Sequence, residues 1–593
     1  MKTIRLDGEK LYWAFYYGKK EVIKRRKHLN KINVFPVADG DTGTNLAMTM
    51  QSIIDGTTMT PVVSDVSRGM AEAALMGSRG NSGIIFAQFL WGLSEAVRDK
   101  KILNRKEFAH AMKNGVEHAY RAMKKPVEGT ILTVMKAWSN ALSHLHEHTG
   151  DFVELLSHSL ETARTSLRET PKKLKVLEKA GVVDAGAQGF VHFLEGMVYF
   201  LRHGRKHDLE ADVIPVLEDD HDVVFTADKE IDYRYCTEAI LRGKRCVPEE
   251  VREAASPYGD SLIVAGAASR VKVHIHTNQP ADLFSALRHF GDISHPKVDD
   301  MLRQRDVQFH RKASIALVTD SACDLPQEIF DRYQIHVVPL NIAFGESQYL
   351  DKITLTPDQF YSMLDDEPEF PRTSQPVVRT FEHVYSRLMA HYDSVVSIHL
   401  SRALSGTWNA AYVASQNIDK RNISVIDSKN LSTALGLIVL RVAQDIQGGK
   451  SMEEVARTAE SLCTKARVLV SVKTLKYMVR GGRVSPLKGI LAKALNLKPI
   501  VSLNEAGETT LYGKAFSTRS NIKKILKMVE AHHRTSPIQT YAIGHAHAQD
   551  GGQDLAERLH DILGFERAFT MNVSPAIGAH AGIGCVSVAY LSD

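Results

Sequence analysis

Apolar residues recur with helical spacing throughout residues 1–203. Between Phe86 and Val97 they stand at intervals of three and four, which places them on one face of an α-helix. The same spacing recurs in three further segments, Phe108–Met123, Thr130–Leu145 and Phe152–Leu167. Strand-like runs are scarce in this region, so the pattern predicts an all-α first domain built as a helical bundle.

The pattern changes after residue 203. Residues 204–225 pass from a basic stretch to an acidic one, which predicts a linker. Residues 226–311 then mix strand-like runs at Ser261–Ala265 and Val271–Thr277 with a helical run at Ala281–Phe290. This mixture is typical of a small α+β domain.

Residues 312–593 show a third pattern, in which short apolar runs suited to buried strands alternate with helical stretches such as Phe381–Ala390 and Met452–Leu462. The strand-like runs are Ile315–Val318, His336–Ile342, Val395–Leu400, Ile423–Ile426, Thr540–Ile543 and Cys585–Leu591. The alternation predicts an α/β domain. The chain is therefore expected to be multidomain, with an all-α, a small α+β and an α/β domain in that order.

Composition narrows the class of protein. The chain has 593 residues, 44% of them hydrophobic and 24% charged, which excludes global disorder and low-complexity architectures. A net charge of +5 is small for this length and does not indicate a dedicated nucleic-acid binder. We expect no membrane span, because no run of about 18 apolar residues occurs. The charged N-terminus and five scattered cysteines predict a cytoplasmic protein.

The segment from Asn33 to Asn45 concentrates polar residues ahead of a predicted helix. Pro36 disfavours helix there, and Asp39 and Asp41 are separated by a single glycine. Two carboxylates with this spacing can converge on one metal ion. Mg²⁺ is commonly bound by such hard oxygen ligands together with the phosphates of a substrate. The helix that begins near Asn45 would add an anion site at its N-terminus. An Asx-rich turn with a helix cap is the structural alternative.

Three further segments introduce predicted helices in the same way. Gly77–Gly83 combines three glycines with polar donors before the Phe86 helix, so its backbone amides could hold phosphate. Pro126–Thr130 and Gly181–Gly186 are the other two. None is a P-loop or a protein-kinase motif. Each alone could be a simple connection, but four in one helical domain indicate a phosphate site.

These four segments resemble those of the nucleotide-binding subunit of dihydroxyacetone kinases and, more closely, the N-terminal domain of bacterial fatty acid kinases, over residues 5–202. The resemblance implies an α-helical barrel that binds ATP through magnesium, with Asp39 and Asp41 as catalytic magnesium ligands. Dihydroxyacetone kinases have a third aspartate where this chain offers Asn33, our candidate for the third ligand. The residues predicted to bind the nucleotide are Thr42, Thr44, Asn45, Gly80, Asn81, Ser82, Gly83, Thr130 and Asp184.

A second candidate site lies in the middle segment. The alternation over Val271–Asn278 places Lys272, His274 and His276 on one face of a strand. Cys236, on a probable strand upstream, would complete a set of two imidazoles and one thiolate suited to Zn²⁺. A polar sheet face with two solvated histidines is the structural alternative. Both segments resemble the middle domain of fatty acid kinases, which implies a functional surface, either with zinc or with catalytic His274 and His276 acting on the transferred phosphoryl group.

Polar turns follow several predicted strands of the α/β domain. They are Thr319–Ser321, Phe370–Pro376, Ser401–Thr407, Asp427–Ser428, Gly481–Arg483 and Ser574–Gly582. Hydroxyls, arginine and histidine at strand and helix ends suit a carboxylate or phosphate. The set resembles the DegV family, which implies one acyl chain buried in the interior with its carboxyl group near the surface. The predicted lipid-binding residues are Thr373, Ser374, Ser405, Arg483 and His580, with Arg519 as a weaker candidate.

Together the resemblances imply a fatty acid kinase fused to its lipid carrier. ATP would phosphorylate the carboxylate of a fatty acid held in the DegV-like domain, giving acyl phosphate and ADP. The alternatives are a lipid carrier or sensor that binds nucleotide without turnover, and a kinase for dihydroxyacetone or a similar keto-sugar. The implied cofactors are ATP and Mg²⁺, with Zn²⁺ as a candidate. The implied partners are a fatty acid, an acyltransferase that consumes the acyl phosphate, and a second copy of the chain in a homodimer.

Overall fold

A computed structural model describes residues 3–35, 40–204, 231–267, 269–366, 369–484 and 498–593. Asp39 and the predicted linker 204–225, apart from Gly204, lie outside the described residues. The chain divides into two compact units. The first comprises Met1–Gln279, Ala286–Gly291 and Val298–Arg305, and the second comprises Pro280–Ser285, Asp292–Lys297 and Asp306–Asp593.

Helices make up the described part of residues 1–204, as the spacing of apolar residues predicted. They are α1 Gly8–Lys24, α2 Arg26–Lys31, α3 Thr42–Asp55, α4 Val63–Gly77, α5 Gly80–Ala96, α6 Arg105–Ala122, α7 Ile131–Leu145, α8 Phe152–Arg168, α9 Thr170–Lys173, α10 Lys175–Ala180 and α11 Ala185–His203. Within that described part, only the short strands β1 (Leu6–Asp7) and β2 (Ile102–Leu103) interrupt them. The interior packs large aromatic side chains, among them Phe86, Trp138 and Phe190. Of the described helices, none is long and apolar enough to cross a membrane.

Two helix starts differ from the expectation. Helix α3 begins at Thr42 rather than near Asn45, and α5 begins at Gly80 rather than near Phe86. Gly80 can start α5 because its φ of +58° is accessible to glycine. The polar residues from Gly80 to Gly83 therefore form the first turn of α5 and do not belong to a loop.

A four-stranded sheet with the order β4-β5-β3-β6 lies within residues 235–300. Its strands are β3 Tyr235–Gly243, β4 Gly259–Ala267, β5 Ser269–Thr277 and β6 Asp292–Asp300, with helices α12 Pro248–Ala255, α13 Pro280–Leu287 and α14 Met301–Phe309. Strands β3 and β5 are antiparallel, and their register sets Cys236 opposite His276 and Glu238 opposite His274. This register brings the polar residues of the two strands together.

The second unit carries three sheets. A parallel sheet has the order β13-β12-β7-β8, a small sheet the order β10-β9-β11, and a six-stranded sheet the order β16-β15-β14-β19-β17-β18. The strands are β7 Ile315–Asp320, β8 His336–Val338, β9 Asn341–Phe344, β10 Ser347–Leu350, β11 Arg372–Ser374, β12 Ser394–His399, β13 Ile423–Asp427, β14 Ala466–Ser471, β15 Lys498–Leu503, β16 Thr509–Ala515, β17 Ile538–His545, β18 Thr570–Asn572 and β19 Val586–Ser592.

Helices alternate with these strands, as the predicted α/β class requires. They are α15 Gln327–Arg332, α16 Pro357–Asp366, α17 Val378–Met389, α18 Thr407–Ile418, α19 Ser432–Gln447, α20 Met452–Lys465, α21 Lys476–Arg480, α22 Thr518–Thr535, α23 Gln549–Leu563 and α24 Pro575–Ala581. One expected strand, His336–Ile342, is in fact two strands, β8 and β9. Pro339 stands between them and has no N–H to give to a sheet.

Candidate functional site

The N-termini of four helices meet in the helical region. A side chain on Gly80, at the start of α5, would approach Asn45 Nδ2 of α3 to 2.5 Å. A side chain on Gly186, at the start of α11, would approach Ser82 Oγ of α5 to 2.6 Å and Ile131 Cβ of α7 to 3.5 Å. These short distances show that the starts of the four helices lie close together, and the φ of +58° at Gly80 additionally favours glycine there. Converging helix N-termini direct backbone N–H groups and positive dipole ends to one place, which suits phosphate.

The start of α3 is tied to α2 by a reciprocal pair of hydrogen bonds. Asn30 Nδ2 donates to Thr44 Oγ1 at 2.9 Å, and Thr44 N donates to Asn30 Oδ1 at 3.0 Å. The Thr44 hydroxyl, predicted to be near the nucleotide, is thus engaged within the protein, and the residue is 3% exposed. Asp41 immediately precedes α3, and its side chain does not form the helix-capping hydrogen bond. Asn33, the candidate for the third magnesium ligand, is buried.

Asp184 joins two of the converging helices. Its carboxylate caps α11 by accepting the Ala187 N–H at 2.7 Å, and it also accepts a backbone hydrogen bond from Ile131 in the first turn of α7. Burial raises the pKa of Asp184 to about 6, against the lowering effect of these two hydrogen bonds. Thr130, the residue before α7, donates its hydroxyl to Val127 O at 2.7 Å. Asp184 therefore fixes the relative placement of two helix starts.

The first turn of α5 carries an available acceptor. The Asn81 Oδ1 atom is buried and has no hydrogen-bond partner among the described residues. Arg79 N, one residue before the helix, donates to Thr49 Oγ1 of α3 at 3.1 Å. The segment is thus anchored to α3, while the oxygen of the Asn81 carboxamide makes no bond within the described part of the chain.

The middle sheet assembles the predicted sulfur and imidazole set. One ligand atom from each of Cys236, His274 and His276 lies within 4.8 Å of the others. His274 is 1% exposed and His276 is 7% exposed, so the alternative of two solvated histidines is wrong. His274 Nδ1 lies 3.2 Å from Glu238 Oε1, and His274 Nε2 has no partner among the described residues. A carboxylate on one ring nitrogen and an open second nitrogen is the usual setting of a metal-binding histidine.

Glu238 also connects this cluster to the start of α5. Its Oε1 accepts the Gly80 N–H at 3.3 Å, and its Oε2 lies 3.2 Å from Lys272 Nζ. The Lys272 ammonium donates in turn to the Ser78 carbonyl. Glu238 and Lys272 are 5% and 4% exposed. A buried ion pair therefore places the Cys236–His274–His276 cluster beside one of the converging helix N-termini.

The second unit contains a cavity of about 650 Å³. Its walls are largely aliphatic, with residues such as Leu340, Leu400, Val468 and Val501. Five of the predicted lipid-binding residues line it, namely Thr373, Ser374, Ser405, Arg483 and His580. The structure places Arg519 elsewhere: it is exposed on the first turn of α22 and is not one of the described lining residues.

Polar groups of the cavity are connected to one another. His580 Nε2 lies 2.9 Å from Thr373 Oγ1, and Ser405 Oγ lies 2.9 Å from Thr407 Oγ1. Burial, together with the nearby Arg483, lowers the pKa of His580 to about 4, so its imidazole is neutral at pH 7. Burial also lowers the pKa of Arg483, whose guanidinium donates to Leu404 O at 3.3 Å. Ser374 is exposed, which brings this polar end of the cavity to the protein surface.

Sequence reasoning missed the residues that hold the predicted ones in place. Asn30, Glu238 and Lys272 were given no role, although Glu238 and Lys272 stand two residues from Cys236 and His274 on the same strand faces. That period-two spacing was the available signal.

Three family models match the chain. A DAK2 domain matches residues 36–199, the FakA-like middle domain of fatty acid kinases matches residues 232–308, and the uncharacterised DegV family matches residues 314–593. The chain thus combines a DAK2 domain, a middle domain of the fatty acid kinase type and a DegV domain, as the motifs predicted. The first two point to a kinase family.

Curated relatives match the chain only in part. An uncharacterized protein of Staphylococcus saprophyticus is 36% identical over 311 residues, which cover 51% of this chain and 56% of that protein. One of Staphylococcus epidermidis is 34% identical over 352 residues, covering 55% and 63%. The chain spans little more than half the length of these relatives.

Solved structures of DegV family proteins match about half of this chain. A fatty-acid-binding DegV family protein from Thermus thermophilus is 31% identical, with a TM-score of 0.45, and covers 47% of this chain and 99% of that chain. DegV, a fatty acid binding protein from Bacillus subtilis, is 29% identical, with a TM-score of 0.44, and covers 47% and 100%.

Proposed function

We propose that this chain transfers the γ-phosphoryl group of ATP to the carboxylate of a fatty acid, forming an acyl phosphate. The observation that carries the proposal is the aliphatic cavity of about 650 Å³ with hydroxyl, imidazole and guanidinium groups in its lining. A lumen of this size suits an acyl chain, and those polar donors suit a carboxylate. The kinase-type domains in the same chain make ATP the expected second substrate.

In this proposal the converging helix N-termini bind the phosphates of ATP. The N–H groups of the first turns of α3 and α5 and their helix dipoles favour negative charge. Asn81 and Ser82 lie in the first turn of α5, where their side chains would add polar contacts. Asp184 holds the starts of α7 and α11 together through its two backbone hydrogen bonds.

Asp41 and Asn33, together with Asp39, would hold magnesium. Their carboxylate and carboxamide oxygens are the hard ligands that magnesium prefers. When bound, magnesium supplies positive charge against the β- and γ-phosphates.

Cys236, His274 and His276 would hold zinc. The open Nε2 of buried His274 and the Glu238 carboxylate on its Nδ1 fit such an ion. When bound, zinc supplies a Lewis-acidic charge beside the start of α5. Glu238 and Lys272 hold the cluster and that helix start together.

The acceptor needs little chemical activation. A carboxylate is ionised at pH 7, so no general base is required. The polar residues of the cavity would bind and orient that carboxylate, while the aliphatic wall excludes water from the chain. Catalysis then rests on positioning and on charge neutralisation.

The test combines lipid analysis with a phosphorylation assay. Mass spectrometry of a denaturing extract identifies the bound fatty acid, and the loaded protein is then incubated with [γ-³²P]ATP and magnesium. We expect a hydroxylamine-sensitive acyl phosphate that Asp41→Ala fails to form. Asp65→Ala, an exposed carboxylate on α4, is the matched control and should retain the product. Bound lipid that never acquires phosphate would instead support a carrier or sensor, and a protein that takes up no lipid would contradict the proposal.

A further inference from the structure

Two buried carboxylates hold the start of the helix that carries His580. Ser574 N donates to Asp324 Oδ1 at 3.0 Å, and Ala576 N donates to Asp351 Oδ1 at 3.1 Å. Both N–H groups belong to the cap and first turn of α24 (Pro575–Ala581), where a helix has no internal acceptors for them. His580 stands in the last turn of the same short helix. Its position in the cavity therefore depends on where these carboxylates fix the first turn.

The two carboxylates are themselves immobilised. Ser432 Oγ donates to Asp324 Oδ2 at 2.6 Å, and Lys352 Nζ lies 2.9 Å from Asp324 Oδ1. Ser321 Oγ donates to Asp351 Oδ2 at 2.6 Å. Both aspartates are 0% exposed. Neither can shift without breaking hydrogen bonds in the interior, so the network is a rigid support for α24.

Such a network is less favourable than ordinary apolar packing. Burial raises the pKa of Asp351 to about 7, against the lowering effects of Lys352 and of its hydrogen bonds. Aliphatic side chains could anchor a short helix without removing two carboxylates and an ammonium from water. The carboxylates instead fix the orientation of α24, because each accepts a hydrogen bond from one particular N–H group of its cap and first turn. The arrangement is therefore better explained by a need for a fixed placement of α24 than by stability.

We propose that Asp324 and Asp351 are positioning residues that set His580 against the carboxylate of the bound ligand and so give the cavity its preference for an ionised head group. The inference rests on the proposed lipid-binding function. His580 Nε2 contacts the Thr373 hydroxyl at 2.9 Å, and both residues line the cavity. A small rotation of α24 would break this pair, whereas the aliphatic lining that lies on other elements, such as Leu340, Leu400 and Val501, would stay in place.

The test compares two ligands that differ only in the head group. Delipidated full-length protein is titrated with palmitate and with hexadecanol, and the ratio of the two affinities measures head-group recognition. We expect Asp351→Asn and Asp324→Asn each to reduce the preference for palmitate about tenfold. The amide nitrogen cannot accept the serine hydrogen bond that Oδ2 accepts, and the uncharged amide oxygen is a weaker acceptor for the N–H group of α24. Hexadecanol affinity should change little.

A double-mutant cycle separates positioning from stability. His580→Ala should lower the preference to a similar degree, and adding Asp351→Asn to it should cause no further loss. Leu559→Ala, a buried truncation on α23 in a different core cluster, is the matched control that lowers stability and leaves the preference unchanged.

The outcomes distinguish the positioning role from the lipid-binding function. Wild-type preference in Asp351→Asn and Asp324→Asn, or equal loss of palmitate and hexadecanol binding, would overturn the positioning role while lipid binding stands. If Asp324→Asn does not fold, Asp351→Asn, which keeps the shape of the side chain, decides the question. A wild-type protein that binds neither ligand would overturn the lipid function itself.

Discussion

Two buried histidines of this protein each face a carboxylate through Nδ1, yet their second nitrogens differ. In the second unit, His399 Nδ1 lies 3.0 Å from Asp320 Oδ2, and Nε2 lies 2.7 Å from Ser397 Oγ, which also accepts from Tyr385 at 2.8 Å. In the first unit, His274 Nδ1 lies 3.2 Å from Glu238 Oε1, and Nε2 has no partner among the described residues.

The difference separates a structural group from a candidate ligand. Asp320, His399 and Ser397 have the composition of a catalytic triad, but all are 0% exposed and their hydrogen bonds close on one another. Asp320 also accepts the Leu400 N–H, which fixes the turn after β12. His274 has an open nitrogen beside a thiol and a second imidazole. The two sites are therefore distinguished by Nε2 of the histidine, which is hydrogen-bonded in His399 and has no partner among the described residues in His274.

Removing a candidate ligand should produce the largest effect. Zinc content of protein purified without chelator is expected to be near stoichiometric in the wild type and at background in His274→Ala and Cys236→Ser, because a zinc site needs its protein ligands. Elemental analysis makes the measurement. His399→Ala is the matched control and should retain zinc. An unchanged zinc content in His274→Ala, or a wild-type protein without zinc, would contradict the assignment of His274 as a zinc ligand.

The complementary change at His399 should act on stability. His399→Ala leaves Asp320 and Ser397 buried without their partner and opens a cavity, so we expect a loss of about 3 kcal/mol in local stability. Hydrogen exchange of β12 (Ser394–His399) should accelerate roughly a hundredfold. His274→Ala should not change exchange in that strand. Unaltered protection of β12 in His399→Ala would show that the closed network is dispensable.

A smaller effect is expected from the carboxylate behind His274. Glu238→Gln keeps the shape of the side chain but weakens the orientation of the imidazole, and such changes lower metal affinity by about 10–100-fold. Competition with a chelator of known affinity measures this. Asp320→Asn should leave zinc affinity at the wild-type value. Equal affinities in Glu238→Gln and wild type would mean that Glu238 serves only the α5 contact.

The sequence predicted the class of each domain because periodicity reports which face is buried. The helices around Phe108, Thr130 and Phe152 and the alternation at Val271–Asn278 were recovered in this way. The polar lining of the cavity was also foreseen, through the DegV-like turns that carry Thr373 and His580.

Support residues were harder to foresee because they act across distances that no local pattern encodes. Asp351 reaches the first turn of a helix 225 positions away in the chain, and Asn30 reaches Thr44 across 14 positions. Arg519 was a candidate for holding the carboxyl group or a phosphate, and the fold leaves it on an exposed helix turn. For Asp351 and Asn30, unlike Glu238 and Lys272, the supporting role becomes visible only once the hydrogen-bond partner is known.

The cavity has one consequence for the lifetime of the protein. Its walls include Leu340, Leu400, Val468 and Ser587, which are far apart in the sequence. The cavity therefore lies where side chains of these segments would otherwise pack against one another. A molecule that fills it becomes part of that core, and by mass action it stabilises the folded chain in proportion to the logarithm of its concentration. Resistance to proteolysis would then increase with the concentration of the bound molecule. The amount of this protein in the cell would therefore depend on how much of that molecule is present.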